Sequence, residues 1–214
     1  PPPSLTPSPP GLLLPSLTCS QSSPQPELLF SSGASFLTLS ASLPLSQPGS
    51  SLGFSFRTCH QGGLLLRQIG ASSDSVSLGL SPQGGLYLTL QAGALPPRKG
   101  SLGAGLADGS WHTVRLGVAP GRAALCLSVD AAPGSPEAEC SAPRVGPSVV
   151  ADSPQPSLVL RLEGVEGVLG ALNLTGGPVR LGSGLVGCMR EGPGLRTSRG
   201  VTGKSGVIWG DCLL

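Results

Sequence analysis

Along 86-LYLTL-90 leucine alternates with tyrosine and threonine, so Leu86, Leu88 and Leu90 share one face of an extended chain while Tyr87 and Thr89 share the other. A period of two marks a strand with one side buried. From about residue 27 onward similar short segments recur: 35-SFLTLSA-41, 52-LGFSFRT-58, 63-GLLLRQI-69, 75-SVSLGL-80, 85-GLYLTLQ-91, 111-WHTVRLGV-118, 123-AALCLSVD-130 and 156-PSLVLRLEG-164. Gly, Pro and Asp stand at the junctions, and 82-PQGG-85 has the composition of a hairpin turn. Strands at intervals of roughly 10 to 12 residues predict a sandwich.

Two stretches break the pattern. Residues 1–26, PPPSLTPSPPGLLLPSLTCSQSSPQP, carry Pro and Ser at a density that cannot sustain a hydrogen-bonded ladder, and read as a linker before one domain at 27–214. Residues 131–156 read as a long loop with one short strand at 145-VGPSVV-150. Composition agrees with strands and turns. The chain holds 33 Gly and 23 Pro with only 11% charged residues, a poor basis for helix almost everywhere.

Charge and hydropathy exclude whole classes of partner. The 13 basic residues form no run and the net charge is +2, which argues against nucleic acid. Apolar runs such as 62-GGLLL-66 fall far short of the roughly 20 residues a membrane-spanning helix needs, so no membrane insertion by this segment is expected. Six cysteines, Cys19, Cys59, Cys126, Cys140, Cys188 and Cys212, include no C-x-x-C pair, which favours disulfides in an oxidising compartment over metal binding. Asn173, in 173-NLT-175, is an acceptor for N-glycosylation. An extracellular setting, with any leader peptide removed, is the expectation.

Catalytic raw material is scarce, and no enzyme is expected. The stretch 49-GSSLG-53 fits G-x-S-x-G but precedes a strand, where a nucleophile elbow follows one. His60 and His112 have no evident shared acid partner, and Asp108 and Asp130 read as turn acceptors. In 108-DGSWHTVRLGV-118 the expected arrangement is a turn at Asp108 and Gly109, Trp111 against the fold, Val114 and Leu116 on a buried face, and His112 across the pleat.

Four segments, in order, resemble one family. They are 54-FSFRT-58 with 62-GGLLL-66, 74-DSVSLGL-80 with 85-GLYLTL-90, 108-DGSWHTVRL-116 with 125-LCLSVD-130, and 184-GLVGCMRE-191 ending at 211-DC-212. Together they resemble the laminin G-like domain, found in laminins, neurexins, agrin, crumbs-type receptors and sex hormone-binding globulin. The stretch 158-LVLRLEGVEGVLGA-171 departs from the glycine-rich strand usual before the last block.

The resemblance implies an all-β fold, a jelly-roll-like antiparallel β-sandwich stabilised by disulfides. It implies a Cys188–Cys212 pair, whose loop of roughly 25 residues would remove about 3 kcal/mol of unfolded-chain entropy. Cys126 with Cys140 and Cys19 with Cys59 are then one of the arrangements open to the remaining cysteines. In many such domains an aspartate at the position of Asp74 is a ligand for one Ca²⁺, so the resemblance points to Asp74, the carbonyl of Gln91 and Asp152 as metal ligands, against a plain reading of Asp74 as a turn cap. The function implied is recognition of an extracellular protein or glycan through rim loops, in cell adhesion or receptor signalling. The alternative is a carrier for a steroid or other apolar small molecule, with Asp74, Phe54 and Phe56 lining its pocket. That carrier's partner serine and asparagine are here Leu52 and Ala92.

Overall fold

The alternating segments become strands that pair antiparallel throughout residues 27–70, 72–130 and 158–212, which a computed structural model of the chain describes. In chain order the strands are β1 (Glu27–Phe30), β2 (Phe36–Leu39), β3 (Ser51–Arg57), β4 (Gly63–Ile69), β5 (Ser75–Leu80), β6 (Leu86–Gln91), β7 (Arg98–Leu102), β8 (His112–Val118), β9 (Ala124–Val129), β10 (Leu158–Glu163), β11 (Val179–Leu181), β12 (Gly187–Arg190), β13 (Val201–Ser205) and β14 (Val207–Gly210). They form two seven-stranded sheets, ordered β10-β9-β8-β3-β12-β1-β14 and β13-β2-β11-β4-β5-β6-β7. The sheets face each other as a β-sandwich.

Parity decides what lies between them. Leu86, Leu88 and Leu90 are buried while Tyr87 and Thr89 are half-buried, as the alternation predicts. From the opposite sheet Phe30, Leu52, Phe54, Phe56, Val114 and Leu116 complete the same core. Each such side chain contributes about 1.5 to 3 kcal/mol on burial. The 82–85 turn closes β5 onto β6, with the Gly84 N–H donating to the Ser81 carbonyl at 2.9 Å. Ser51, the serine of the G-x-S-x-G match, is the first residue of β3 and lies in the ladder opposite Gly117.

The structure adds a helix, places Trp111, and corrects the position of His112. A helix, α1 (Glu166–Ala171), follows β10, with Val165, Val168 and Leu169 buried at helical spacing. His112 shares the inward face with Val114 and Leu116, because residues two apart in a strand point the same way. Trp111, of opposite parity, lies outside the sheet, with the guanidinium of Arg190 3.7 Å and that of Arg57 5.3 Å from its ring centre.

His112 also has the acid partners that its sequence neighbours conceal. Its Nδ1 is 2.7 Å from Asp130 Oδ2 and its Nε2 3.0 Å from Asp108 Oδ1. Asp130 in addition accepts the Thr113 N–H at 2.7 Å, and Asp108 that of Ser110 at 2.8 Å. Burial alone would push the imidazole down; the hydrogen bonds and charges of Asp130 and Asp108 outweigh it, and the net shift is upward.

The chain ends are fastened on the other flank. Glu27, 1% exposed, accepts from Arg190 at 2.6 Å through one carboxylate oxygen and from the Cys212 N–H at 2.7 Å through the other. Arg57 donates to the Cys212 carbonyl. Cys188 and Cys212 form the disulfide the resemblance implies, with Cα atoms 6.1 Å apart. Cys126 is disulfide-bonded as well, its partner outside the described residues. Cys59 is exposed, and Cys19, Cys140, the 1–26 linker and the 145–150 strand lie outside the described residues.

Replacing Cys188 and Cys212 together by serine is expected to cost about 3 kcal/mol of stability, read from the denaturant midpoint. His112 gives a pH signature. A raised folded pKa means that its stabilisation is complete below the unfolded value of about 6.5 and is lost as pH climbs through the folded value. Stability of the wild type should therefore decline as pH rises above about 6.5, while His112→Gln flattens that slope.

Candidate functional site

The second sheet ends in a row of residues that face one another across five strands, Leu39–Val179–Gln68–Val76–Leu90. Beyond that row the chain leaves β2, β4 and β6 and returns to β5 and β11. The connecting loops therefore crowd together at one rim. Backbone donors gathered in that way need acceptors, and two buried side chains supply them.

The first is Asp74, 3% exposed, just before β5. Its Oδ1 accepts the Gly93 N–H at 2.6 Å, from the loop after β6, and its Oδ2 accepts the Asn173 N–H at 2.8 Å, from the segment before β11. Its own carbonyl accepts the Gly70 N–H at 2.7 Å and so closes the loop it sits in. One carboxylate thus joins three loops. Close approach is possible because two positions lack a side chain. A Cβ on Gly70 would run into the Asn173 carbonyl, and one on Gly177 into that of Ile69.

The second is Gln68, wholly buried on β4. Its Oε1 accepts the Leu43 N–H at 2.9 Å, and its Nε2 shares its hydrogens among the carbonyls of Ala41, Leu174 and Gly177 at 3.1, 3.0 and 2.7 Å. Sequence reading passed over it. The available signal was parity, since Gln68 falls on the inward face occupied by Leu66, where an amide must find partners. Beside these loops lies a cleft of about 360 Å³ lined by Ser40, Ala41, Ser42, Gly176, Gly177, Pro178 and Thr202. Apolar atoms make up the larger part of its wall, with Ser40, Ser42 and Thr202 contributing hydroxyl-bearing side chains.

Asp74 and Gln91 come together at the rim, as the resemblance implies, but Gln91 uses its side chain to brace the next loop, donating at 2.8 Å to both the Gly93 and the Leu95 carbonyls. Asp152 lies outside the described residues. A calcium ion takes six to eight oxygens. Among the described residues the implied set supplies one carboxylate, already carrying an N–H on each oxygen, and one carbonyl, and no cluster of three His, Cys, Asp or Glu occurs. These two donors alone fall short of that number, and the third implied ligand is not among the described residues. Phe54 and Phe56 are placed in the packed core on β3, 2% and 0% exposed, and neither lines the cleft. Asn173 is exposed at the rim.

Comparison with known proteins agrees with this architecture. A laminin G domain profile matches residues 56–191. The LG1–3 region of the laminin α2 chain superimposes with a TM-score of 0.58 at 16% identity, covering 90% of this chain and 36% of that one. Domains LG4–5 of the mouse laminin α1 chain superimpose with a TM-score of 0.56 at 20% identity, covering 93% of this chain and 51% of that one. The matched part of this chain thus spans about a third and about half the length of those two. The profile runs from the end of β3 through β12, taking in strands of both sheets and Asp74 at the rim, and the chain belongs to the laminin G domain family.

Proposed function

We propose that this chain, over residues 27–214 behind a 1–26 linker, is an extracellular binding module. It recognises a protein or glycan ligand through its rim in adhesion or receptor signalling and performs no chemistry of its own. One observation carries the reading: Asp74 and Gln68, both buried, gather the loops into a fixed wall beside an open cleft whose small side chains include three with hydroxyls. A wall fixed before binding lowers the entropy lost when a ligand docks. Hydroxyls and peptide groups suit a partner that itself offers hydroxyls or amides.

Asp74 acts in this reading as a hydrogen-bond acceptor, and ligand binding does not require calcium. The two loops that a cation would bridge are already joined through the Gly93 and Asn173 amides. A steroid carrier finds less support, because Phe54 and Phe56 are packed into the core and Asp74 is committed to backbone donors.

Thermal melts of the full chain are expected to coincide in EDTA and in about 2 mM calcium, a concentration that fills weak extracellular sites. An upward shift with calcium would restore the metal reading, and a response to steroids alone would establish the carrier. Asp74→Ala leaves two buried N–H groups without acceptors, and is expected to cost about 2 to 4 kcal/mol. Ser42→Trp fills the cleft from an exposed position. On arrays of extracellular proteins and glycans it should lose the wild-type signal while keeping the wild-type melting temperature; retention of every signal would contradict recognition at the cleft.

A further inference from the structure

Asn173 and Thr175 are both exposed, while Leu174 between them is buried and anchors the segment. The Asn173 Oδ1 accepts the Thr175 N–H at 3.1 Å, which leaves its Nδ2 without a hydrogen-bond partner among the described residues. The Asn173 backbone N–H is the one held by Asp74 at 2.8 Å. Three residues further on, Gly176, Gly177 and Pro178 line the cleft. The acceptor tripeptide therefore runs directly into the segment that lines the cleft.

We propose that an N-linked glycan on Asn173 gates this rim. The glycosylated chain presents a cleft screened by sugar, and the unmodified chain an open one. This rests on the extracellular reading above, because the donor is an oligosaccharide on a lipid diphosphate in the secretory pathway. The bond from Nδ2 to the sugar C1 forms as the C1–oxygen bond to the diphosphate breaks. One amide proton is released, and the lipid diphosphate leaves. The hydrogen bonds that hold the rim use the Asn173 backbone N–H and Oδ1, so attachment at Nδ2 leaves them in place. A bulky, hydrated chain at that point screens the cleft without unfolding its wall.

The test uses the full chain, secreted from mammalian cells behind a leader, with Ser42→Lys placing an amine in the cleft. Intact mass before and after peptide N-glycosidase reads occupancy. Acylation by a small activated ester and by a polyethylene glycol ester, mapped to position 42, reads access. In the glycosylated protein the rate with the large reagent, relative to the small one, should fall several-fold. It should recover both after enzymatic removal of the sugar and in Thr175→Ala, which keeps the Asn173 turn. Secreted protein with no sugar on Asn173, or equal rate ratios with and without it, overturns the gate and leaves the rim reading standing. Retention in the cell with no glycosylated form overturns the extracellular reading, and the gate with it.

Discussion

A single buried carboxylate sets the shape of the rim. Asp74 binds amides 19 and 99 positions away in the chain. A charged acceptor makes hydrogen bonds roughly twice as strong as a neutral one, and at 3% exposure water competes little for it. Once Gly93 and Asn173 are fixed, Gly177 is drawn against Ile69 and the Gln68 amide can reach the Leu174 and Gly177 carbonyls. The cleft beside Gly176 and Pro178 follows from that sequence of contacts. Its form belongs to the folded backbone, and the side chains around it are small.

The opposite flank solves a different problem by similar means. There Glu27 and Arg57 take the N–H and carbonyl of Cys212, and the disulfide to Cys188 makes the closure covalent. Buried ion pairs such as Glu27 with Arg190 add little net stability, because desolvation offsets their attraction, yet losing one partner is costly. Such pairs select one register for β1 against β12 and β14. In general a rigid scaffold of strands tolerates sequence change in its loops, which is how one fold carries many binding functions.

Much of this was legible in the sequence because strands bury one face. The segments 63–69 and 75–80 match β4 and β5 end to end, and the motif around Asp74 located the rim. The polar strand β7, 98-RKGSL-102, gave no alternation to detect; its pairing with β6 comes from tertiary context. Asp108 and Asp130 lie 4 and 18 positions from His112, and the meeting of all three depends on the β8–β9 pairing that no local pattern records. The role of Asp74 was visible as a choice between metal ligand and turn cap. The amides of Gly93 and Asn173 support the acceptor reading, and they are distant in sequence for the same reason that they are useful.

The direct test of that choice is amide hydrogen exchange at Gly93 and Asn173 in metal-free buffer. If Asp74 holds the rim by itself, both amides exchange slowly in EDTA, near the rate set by global unfolding, and calcium changes nothing. Fast exchange in EDTA that becomes slow only when calcium is added would contradict the account.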